Sequence, residues 1–275
     1  MNCLAIYRAE RFSPNSVERD RAIMDAVCKR LRQDYNSINV VKEEDISNGM
    51  HFTAGEYPLI LSMARSQSVL NMLAEEQKRG AIIINSPQQM LNMSRSRIDG
   101  LMRENGIPCA PINGSGGWWI KRGDEAAQEK GDVRFANDET EKGRIIKEFH
   151  ERGITDIVTT AHVDGDLVKF YGVTETGFFF TSYPADTGYS KFGDEQRNGS
   201  PRYTPFCKEE LHKDATTLAR LTGIYIYGGD CIVRSDGSYA IIDFNDWPSF
   251  SACREEAAHA IALRAKNIYI NKVKE

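Results

Sequence analysis

The chain has 275 residues, of which 41% are apolar and 27% are charged, a composition typical of a globular protein with one large core or two smaller ones. Its formal net charge of -4 argues against sequence-independent nucleic-acid binding, which requires a cationic surplus. Six cysteines without CxxC spacing predict neither a zinc knuckle nor a disulfide framework. The apolar opening CLAIY is too short for a signal sequence, and no run is long enough to span a bilayer. We therefore expect a cytoplasmic protein without a membrane partner.

The first part of the sequence alternates predicted strands and helices. CLAIYR predicts a strand, and VERDRAIMDAVCKRLRQDY carries apolar residues at helical spacing. The same alternation returns in SINVVKEED, YPLILSMARS, VLNMLAEEQKRG and AIIINSP. It predicts a small parallel sheet with helices on its faces. We expect this N-terminal α/β domain to cover residues 1–95.

The remainder predicts two further units of mixed helix and strand. A helix in RSRIDGLMRENGI and the extended PCAPI lead through the loop NGSGG into the strand WWIKRGD, a helix around DETEKGRIIKEFHERG and the strand DIVTTAHV. The last third contains DLVKFYGVTETGFFFTSY, a long polar loop, the helix KEELHKDATTLARLTG, a hairpin and a closing helix from CREEAAHAIALRAK. These patterns indicate a central unit over 96–165 and a C-terminal unit over 166–275.

The hairpin is predicted in GGDCIVRSDGSYAIIDFN, where an Asp-Gly step separates two β-rich runs. Asp-Gly between such runs is the strongest short signal for a two-residue turn. Pairing the two serines that flank the turn sets Ile232 opposite Ile241. Further from the turn, the same count sets Asp230 opposite Asp243.

The two strands of this hairpin are expected to have one polar and one apolar face. Because side chains alternate along a strand, Asp230, Asp243 and Asn245 share a face. The other face is predicted to be core, with Cys231, Val233, Ala240, Ile242 and Phe244. Two opposed carboxylates repel each other unless a cation lies between them. Mg²⁺ fits this description, although an isolated D-x-N also begins ordinary surface turns.

These residues also carry a family resemblance. GGDCIV followed by DFNDWPSF resembles the metal-binding end of ATP-grasp enzymes, and the order of elements is similar over most of the chain. The resemblance implies an ATP-grasp fold, with an N-terminal parallel α/β domain followed by central and C-terminal α+β subdomains with antiparallel sheet. It implies that Asp230, Asp243 and Asn245 hold Mg²⁺ ions that bridge the phosphates of ATP.

Two other segments resemble the phosphate-contacting parts of this family. WWIKRGD is similar to the central strand whose lysine touches the α and β phosphates, which implies that role for Lys121. From the residue pattern alone, Lys121 is either an edge lysine or a phosphate ligand. MSRSRIDGLMRENGIPCAP resembles the segment that carries a first phosphate-contacting lysine, and Arg97 stands at that position. The glycine-rich loop usual after the central lysine is replaced by RGDEAAQEKGDV.

The segment VTTAHVDGDLVKFYGV resembles the adenine hinge of the family. The resemblance implies that His162 and Val163 flank the adenine, with His162 where an acidic residue is commoner. It also implies that Lys169, on the next strand, faces phosphate or substrate. An exposed strand lysine is the alternative for Lys169, and a structural histidine is the alternative for His162.

The resemblance implies phosphoryl transfer from ATP. In the larger branch of the family, which includes glutathione synthetase and D-alanine ligase, a substrate carboxylate becomes an acyl phosphate that an amine or thiol attacks. In a smaller branch, resembling the ATP-grasp inositol trisphosphate kinases, a hydroxyl keeps the phosphate. Asp243 in place of the usual Glu, and the stretch LVKFYGV, favour the kinase. The family base rate favours the ligase, which we expect, with a non-catalytic nucleotide-binding module as a third alternative.

Substrate specificity is predicted in the polar loop over 183–206 and in the N-terminal loops FSPNSVERD and MARS. The cations available there are Lys191, Arg197, Arg202, Arg19 and Arg65. Singly, each is consistent with a solvated charge, but together they predict a small anionic substrate. Lys169 and Arg197 are the candidate catalytic residues. Open α/β sheets often dimerise through exposed faces, so a homodimer is one open alternative.

Overall fold

The computed structural model describes residues 2–125, 129–184 and 197–274. The N-terminal part forms a parallel four-stranded sheet in the order β2-β1-β3-β4. Its strands are β1 (Asn2–Tyr7), β2 (Ser37–Lys42), β3 (Leu59–Ser62) and β4 (Ile82–Ile84). The helices of this part are α1 (Val17–Leu31), α2 (Glu43–Ser47), α3 (Gln67–Lys78) and α4 (Pro87–Met90). The predicted parallel sheet is therefore confirmed.

Strand β1 is an inner strand of this sheet, and both of its faces are covered by apolar cores. Cys3 and Ala5 belong to a core that includes α1, whereas Leu4 and Ile6 belong to a second core that includes α3. All four side chains are fully buried. A strand buried on both faces has a continuous apolar sequence rather than an alternating one, as CLAIY shows.

Two antiparallel sheets follow along the chain. The first has the order β6-β5-β7 and the second the order β11-β10-β8-β9. The strands are β5 (Trp118–Arg122), β6 (Val133–Ala136), β7 (Ile157–Ala161), β8 (Asp166–Val173), β9 (Phe178–Ser182), β10 (Ile226–Val233) and β11 (Tyr239–Asp246). The helices are α5 (Arg95–Glu104), α6 (Glu139–Glu151), α7 (Lys208–Thr222) and α8 (Arg254–Lys274). Each of the three predicted units contains one of the three sheets, and their independence as domains stays a prediction.

Helix α8 packs against both the last sheet and the parallel sheet. Its buried residues Ala257, Ile261 and Ala265 lie in the same core as the α1 side of the parallel sheet. Tyr171 of β8 and Ile226 of β10 belong to that core as well. The opposite face of the last sheet packs on α7 and α5 in a separate core. The shared core holds the parallel sheet against the β10–β11 hairpin.

The hairpin turn differs from the predicted two-residue turn. Arg234 N donates to Ser238 O at 2.8 Å, so three residues lie between the paired positions. Gly237, the last of them, has φ +83°, the left-handed conformation that a three-residue hairpin loop requires at that position. The register next to the turn is therefore shifted by one residue from the prediction.

A β-bulge directly next to the two carboxylates reverses this shift. Cys231 pairs with Ile241, whereas Asp230 pairs with Asp243, so Ile242 is the extra residue. Because the bulge adds one residue to β11, it restores the register that the longer turn had displaced. Asp230 and Asp243 are thus opposed, as predicted, although the predicted pairing of Ile232 with Ile241 is wrong.

The bulge also changes which hairpin side chains face the core. Ile241 lies with Cys231 in the core under α7, where Ile242 was expected. Ala240 and Ile242 pack with Ile232 on the other face of the sheet. The extra residue inverts the alternation between the turn and the bulge, so two of the five predicted residues, Ala240 and Ile242, lie on the other face; Ala240 is nevertheless fully buried, as predicted.

Three short elements were not predicted from the sequence, namely α2, α4 and β6. The two helices have five and four residues, and the strand has four, lengths at which apolar periodicity carries little signal. Within the described residues, no helix combines the length and apolar character needed to cross a bilayer. All six cysteines are free, and four of them are buried.

Asn85 provides a test of how the parallel sheet is joined to β10. Its side chain is 1% exposed, donates to Ile226 O at 3.0 Å and accepts from Tyr225 N at 2.8 Å. Asn85→Ala removes the side-chain acceptor of Tyr225 N and Ile226 N and one of the two donors to Ile226 O, and we expect it to lower the free energy of unfolding by about 3 kcal/mol. Urea denaturation measures this change. Asn92→Ala, which removes an exposed hydrogen bond within one helical turn, is the control and should change little; equal effects would contradict the prediction.

Candidate functional site

A cleft of about 420 Å³ lies where the three sheets meet. Of the eight residues that the resemblance assigned to metal, phosphate or adenine, seven line it, namely Lys121, His162, Val163, Lys169, Asp230, Asp243 and Asn245. They come from β5, the end of β7, β8, β10 and β11. The cleft has an apolar end near Val163 and a charged end near the hairpin.

The charged end is built from one row across the last sheet. Lys169 on β8 is opposite Asp230 on β10, which is opposite Asp243 on β11. Lys169 Nζ lies 3.1 Å from Asp230 Oδ1. Asn245 follows on the same strand as Asp243, and its amide also faces the cleft. Two carboxylates, an amide and an ammonium group are therefore brought together.

Side chains with positive charge lie beside both carboxylates. This weakens the argument that repulsion between Asp230 and Asp243 requires a metal ion. Lys169 pairs with Asp230, and Arg95 Nη2 lies 3.8 Å from Asp243 Oδ1. The two opposed carboxylates are therefore accompanied by cations, as expected, but Lys169 and Arg95 already supply opposite charge, so the repulsion alone does not call for a metal ion. A metal at this site has to be argued from the ligand atoms present.

Lys121 reaches this row from the neighbouring sheet. Its Nζ donates to Ile242 O at 2.9 Å, a carbonyl at the β-bulge. Burial lowers the pKa of Lys121 to about 8, with Arg95 lowering it further and Asp243 acting in the opposite direction. The ammonium is thus held in the cleft in a site that penalises its charge, a combination that an anionic ligand would relieve.

Gly229, directly before Asp230, allows the strands to approach closely beneath the row. A Cβ atom at this position would lie 2.2 Å from Asp243 O and 2.4 Å from the ring of Phe170. Any side chain would therefore force β10 and β11 apart. The glycine preceding the first carboxylate is a requirement of packing under the site.

The apolar end of the cleft is bordered by an aromatic cluster. Trp119 Nε1 donates to His162 Nδ1 at 3.2 Å, and the rings of Trp119 and Phe135 are 5.1 Å apart. Burial lowers the pKa of His162, and Arg197 acts in the same direction. Because Nδ1 accepts this hydrogen bond, the proton of the neutral imidazole lies on Nε2. His162 is fixed in one tautomer beside the apolar end.

Two predicted site residues lie outside this arrangement. Arg197 stacks over Phe135 at 3.7 Å from the ring centroid and does not line the cleft. Arg97 is exposed on α5, whereas Arg95, two residues earlier, lines the cleft and approaches Asp243. The helix begins at Arg95, and this start directs Arg95 rather than Arg97 towards the hairpin.

No protein-family model and no curated protein matches the sequence. Solved structures match the whole chain. D-alanyl-alanine synthetase A from Vibrio cholerae aligns with a TM-score of 0.70 at 11% identity, covering 98% of this chain and 99% of that one. D-alanine–D-alanine ligase from Bacillus anthracis, complexed with ATP, aligns with a TM-score of 0.63 at 11% identity, covering 99% of each.

A third similar structure is the ATP-grasp ligase PsnB with Mg, ADP and a variant of its minimal precursor. It aligns with a TM-score of 0.59 at 13% identity, covering 96% of this chain and 98% of that one. The chain has the ATP-grasp fold. At these identities the likeness shows the fold, and the function must be argued from the residues in the cleft.

In the ATP-grasp fold of this chain, a wall of the cleft comes from the parallel sheet. Arg19 and Arg65, predicted from the N-terminal loops, line this wall. Sequence reasoning missed Arg8 and Asp20, which line this wall as well, and Asp246 at the end of β11, which also lines the cleft. Asp246 lies within the quoted stretch DFNDWPSF, but no role was assigned to it.

The described part of the polar loop covers the hinge between β7 and β8. Asn198 Nδ2 donates to Val163 O at 3.1 Å and to Gly165 O at 2.9 Å. The buried carboxylate of Asp166 accepts from Arg202 N at 2.7 Å and from Thr204 N at 2.8 Å. Residues 197–204 thus form a strap across the hinge. Lys191, predicted in the same loop, lies outside the described residues.

Substitution of Asp166 tests whether the strap is held in place by this one carboxylate. Burial acts to raise its pKa, but the backbone N–H groups of Arg202 and Thr204 outweigh burial, and the pKa is lowered. The ionised carboxylate of Asp166 therefore stabilises the strap fully above the ordinary pKa of Asp. This stabilisation is lost as the pH falls through the lowered pKa. Asp166→Asn places an amide donor against an N–H group, and we expect amide exchange over 197–206 to accelerate about tenfold at pH 7.

Hydrogen-exchange mass spectrometry measures this change. Asp164→Asn is the matched control, because Asp164 holds the strap through the side chain of Arg202 in an exposed ion pair rather than through backbone N–H groups, and it should leave exchange nearly unchanged. Unchanged exchange in Asp166→Asn would contradict a role for Asp166 in holding the strap.

Proposed function

We propose that this protein is an ATP-dependent ligase that joins the carboxylate of a small anionic substrate to an amine or thiol through an acyl phosphate. The observation that carries the proposal is the row of Lys169, Asp230 and Asp243, with Lys121 above it, at the charged end of the cleft. Support also comes from the fold, which the chain shares with D-alanine–D-alanine ligase and PsnB.

The cleft supports one orientation of ATP. The apolar end, beside Val163 and His162, suits a purine ring, since apolar contact and a few polar groups are typical of such pockets. The charged end, with Lys121 and Lys169, suits the phosphates. Under this proposal, the nucleotide extends from the hinge to the hairpin, which places its terminal phosphate near Asp230 and Asp243.

The donor set of the charged end fits Mg²⁺. Asp230 and Asp243 offer carboxylate oxygens and Asn245 offers an amide oxygen, the hard ligands that Mg²⁺ prefers. Among the described residues, no third acidic, histidine or cysteine side chain completes a protein cage. This agrees with an ion that takes its other ligands from phosphates and water. Bound there, Mg²⁺ would neutralise charge on the transferring phosphate.

The proposed chemistry has two displacements. A substrate carboxylate oxygen attacks the γ-phosphorus, and the bond to the β,γ-bridging oxygen breaks, giving ADP and an acyl phosphate. An amine or thiol then attacks the acyl carbon, inorganic phosphate leaves with the bonding electrons, and the nucleophile loses its proton. Lys121 and Lys169 would stabilise the negative charge on the phosphoryl oxygens by hydrogen bonding. No side-chain nucleophile is required.

A small-molecule kinase is the second candidate. By the resemblance, Asp243 stands where ligases of this fold usually carry Glu, and Lys169, beside Asp230, would hold the phosphate of a product. In that reaction a substrate hydroxyl attacks the γ-phosphorus and keeps the phosphoryl group. The two candidates differ in a measurable product, because a ligase releases inorganic phosphate and a kinase does not.

Lys121 predicts the pH dependence of nucleotide binding. Since its pKa is lowered to about 8, the ammonium is protonated below that pH and neutral above it. Phosphate binding requires the charged form. The affinity for the nucleotide should therefore be highest at pH 7 and fall as the pH rises through about 8. We expect binding of Mg²⁺ with the imido analogue of ATP to weaken about tenfold by pH 9.

Calorimetric titrations between pH 7 and 9 measure this decline. Lys121→Arg is the control, because a guanidinium stays charged over this range and should give a flat profile. A wild-type profile as flat as that of Lys121→Arg would show that Lys121 does not set the pH dependence.

The proposed function is tested by product analysis. With Mg²⁺, ATP and pooled cell metabolites, we expect ADP and free phosphate to appear in equal amounts, with a new amide or thioester detected by mass spectrometry. Asp243→Asn should reduce this turnover by at least about a hundredfold. Asp236→Asn, a change in the exposed turn of the same hairpin, should leave it intact.

Each other outcome separates the candidates. ADP without matching free phosphate, together with a product heavier by one phosphoryl group, would identify a kinase and reject the ligase. No ADP from any pool would leave a nucleotide-binding module. Equal turnover in Asp243→Asn and wild type would reject the role of the carboxylate row.

A further inference from the structure

We propose that a chain of contacts positions the metal-binding end of β11: a hydrogen bond from the backbone N–H of Arg65 to the buried carboxylate of Glu43, and an ion pair from the Arg65 guanidinium to Asp246. These three would be positioning residues rather than metal ligands or catalytic groups. The inference rests on the proposed function, since it assigns them a role towards the ion held by Asp243 and Asn245. The inference means that metal binding at the last sheet also depends on residues that belong to the N-terminal part of the chain.

Asp246 is held from the parallel sheet. It directly follows Asn245, its side chain is 1% exposed, and its carboxylate pairs with the guanidinium of Arg65. Arg8 Nη2 approaches the second carboxylate oxygen at 3.7 Å. A buried carboxylate is stable only with such partners, so Asp246 fixes the end of β11 relative to the loops that carry the two arginines.

Arg8 also holds the backbone at the end of β11. Its Nη2 donates to Asp246 O at 3.3 Å and to Trp247 O at 3.0 Å. Trp247 is fully buried and has φ +38°, a conformation that bulky residues rarely adopt. Backbone in such regions persists where its surroundings determine it, and it is concentrated at functional sites. The turn after Asn245 is therefore held in a strained form by contacts from Arg8, the residue directly after β1.

Glu43 fixes the two loops that carry these arginines. Its side chain is 0% exposed, and its carboxylate accepts from Ala9 N at 2.8 Å and from Arg65 N at 3.0 Å. It also accepts from the backbone and hydroxyl of Ser66. One carboxylate thus bonds the backbone after β1 and after β3 and sets the positions from which Arg8 and Arg65 extend.

The place of these loops in the sheet explains why they reach the hairpin. In the order β2-β1-β3-β4, the connections leave β1 and β3 in opposite directions, so the carboxyl ends of these two strands open a crevice. Arg8 follows β1 directly, and Arg65 lies three residues beyond β3. Both side chains line the cleft and contact Asp246. Outer-shell contacts of this kind orient metal ligands and commonly change metal affinity when removed.

Metal affinity, rather than turnover, tests the proposal. Mn²⁺ binding to the full chain with the imido analogue of ATP is titrated by electron paramagnetic resonance for wild type, Asp246→Asn, Arg65→Lys and Glu43→Gln. We expect each variant to bind Mn²⁺ at least about tenfold more weakly. Affinity for the analogue without metal should change less than about twofold, a separation that general loosening of the fold would not produce.

Glu44→Gln is the matched control for the glutamate. Glu44 is the neighbouring residue, and among the described residues its side chain accepts from the Glu10 N–H group alone, so its replacement should leave Mn²⁺ affinity unchanged. An equal loss in Glu44→Gln and Glu43→Gln would overturn the role of Glu43.

The remaining outcomes separate this inference from the proposed function. If wild type binds no Mn²⁺ with the analogue, the proposed function fails and the positioning role fails with it. If wild type binds and Asp246→Asn binds equally well, only the positioning role is overturned. If the nearly isosteric Asp246→Asn does not fold, as judged by near-UV circular dichroism, the pair serves the whole fold and the inference is also overturned.

Discussion

The opposition of Asp230 and Asp243 across one pair of strands is the constraint on which the charged end of the cleft depends. Like charges in this position destabilise a hairpin, so each requires a cation from another element. Lys169 comes from β8, next to β10, and Arg95 comes from the first turn of α5. The row therefore joins β8 to β10 and α5 to β11 by ion pairs at the charged end of the cleft, and Lys121 of the middle sheet reaches the same place.

The fold class and the opposition of the two carboxylates could be predicted from the sequence. The hairpin shows why. Alternation and turn signals are local, so they indicate two strands and an approximate register. The turn is one residue longer than predicted, and the bulge at Ile242 compensates for it. The opposition of Asp230 and Asp243 was thus predicted through two errors that cancel. A bulge depends on packing against neighbouring strands, so the local pattern does not reveal it.

The remaining site residues depend on contacts between distant parts of the chain. Arg95 and Arg97 are two residues apart, and the choice between them is set by where α5 begins and what it packs on. The pairing of Arg65 with Asp246 joins positions separated by 181 residues, and no local pattern indicates it. Arg197 has the composition of an anion-binding residue, yet it stacks on Phe135. A planar cation is as well suited to an aromatic face as to a phosphate.

The balance of charge in the cleft explains how an acidic chain can provide a site for a polyanion. Six basic and six acidic side chains of the described residues line it, so the wall has no net surplus of either sign. Under the proposed function, a nucleotide alone would bring phosphates against carboxylates. Metal ions bound to those carboxylates would release Lys169 from Asp230 and leave its ammonium for the phosphates. Nucleotide and metal would then bind as one unit, because each supplies the charge that the other leaves unpaired.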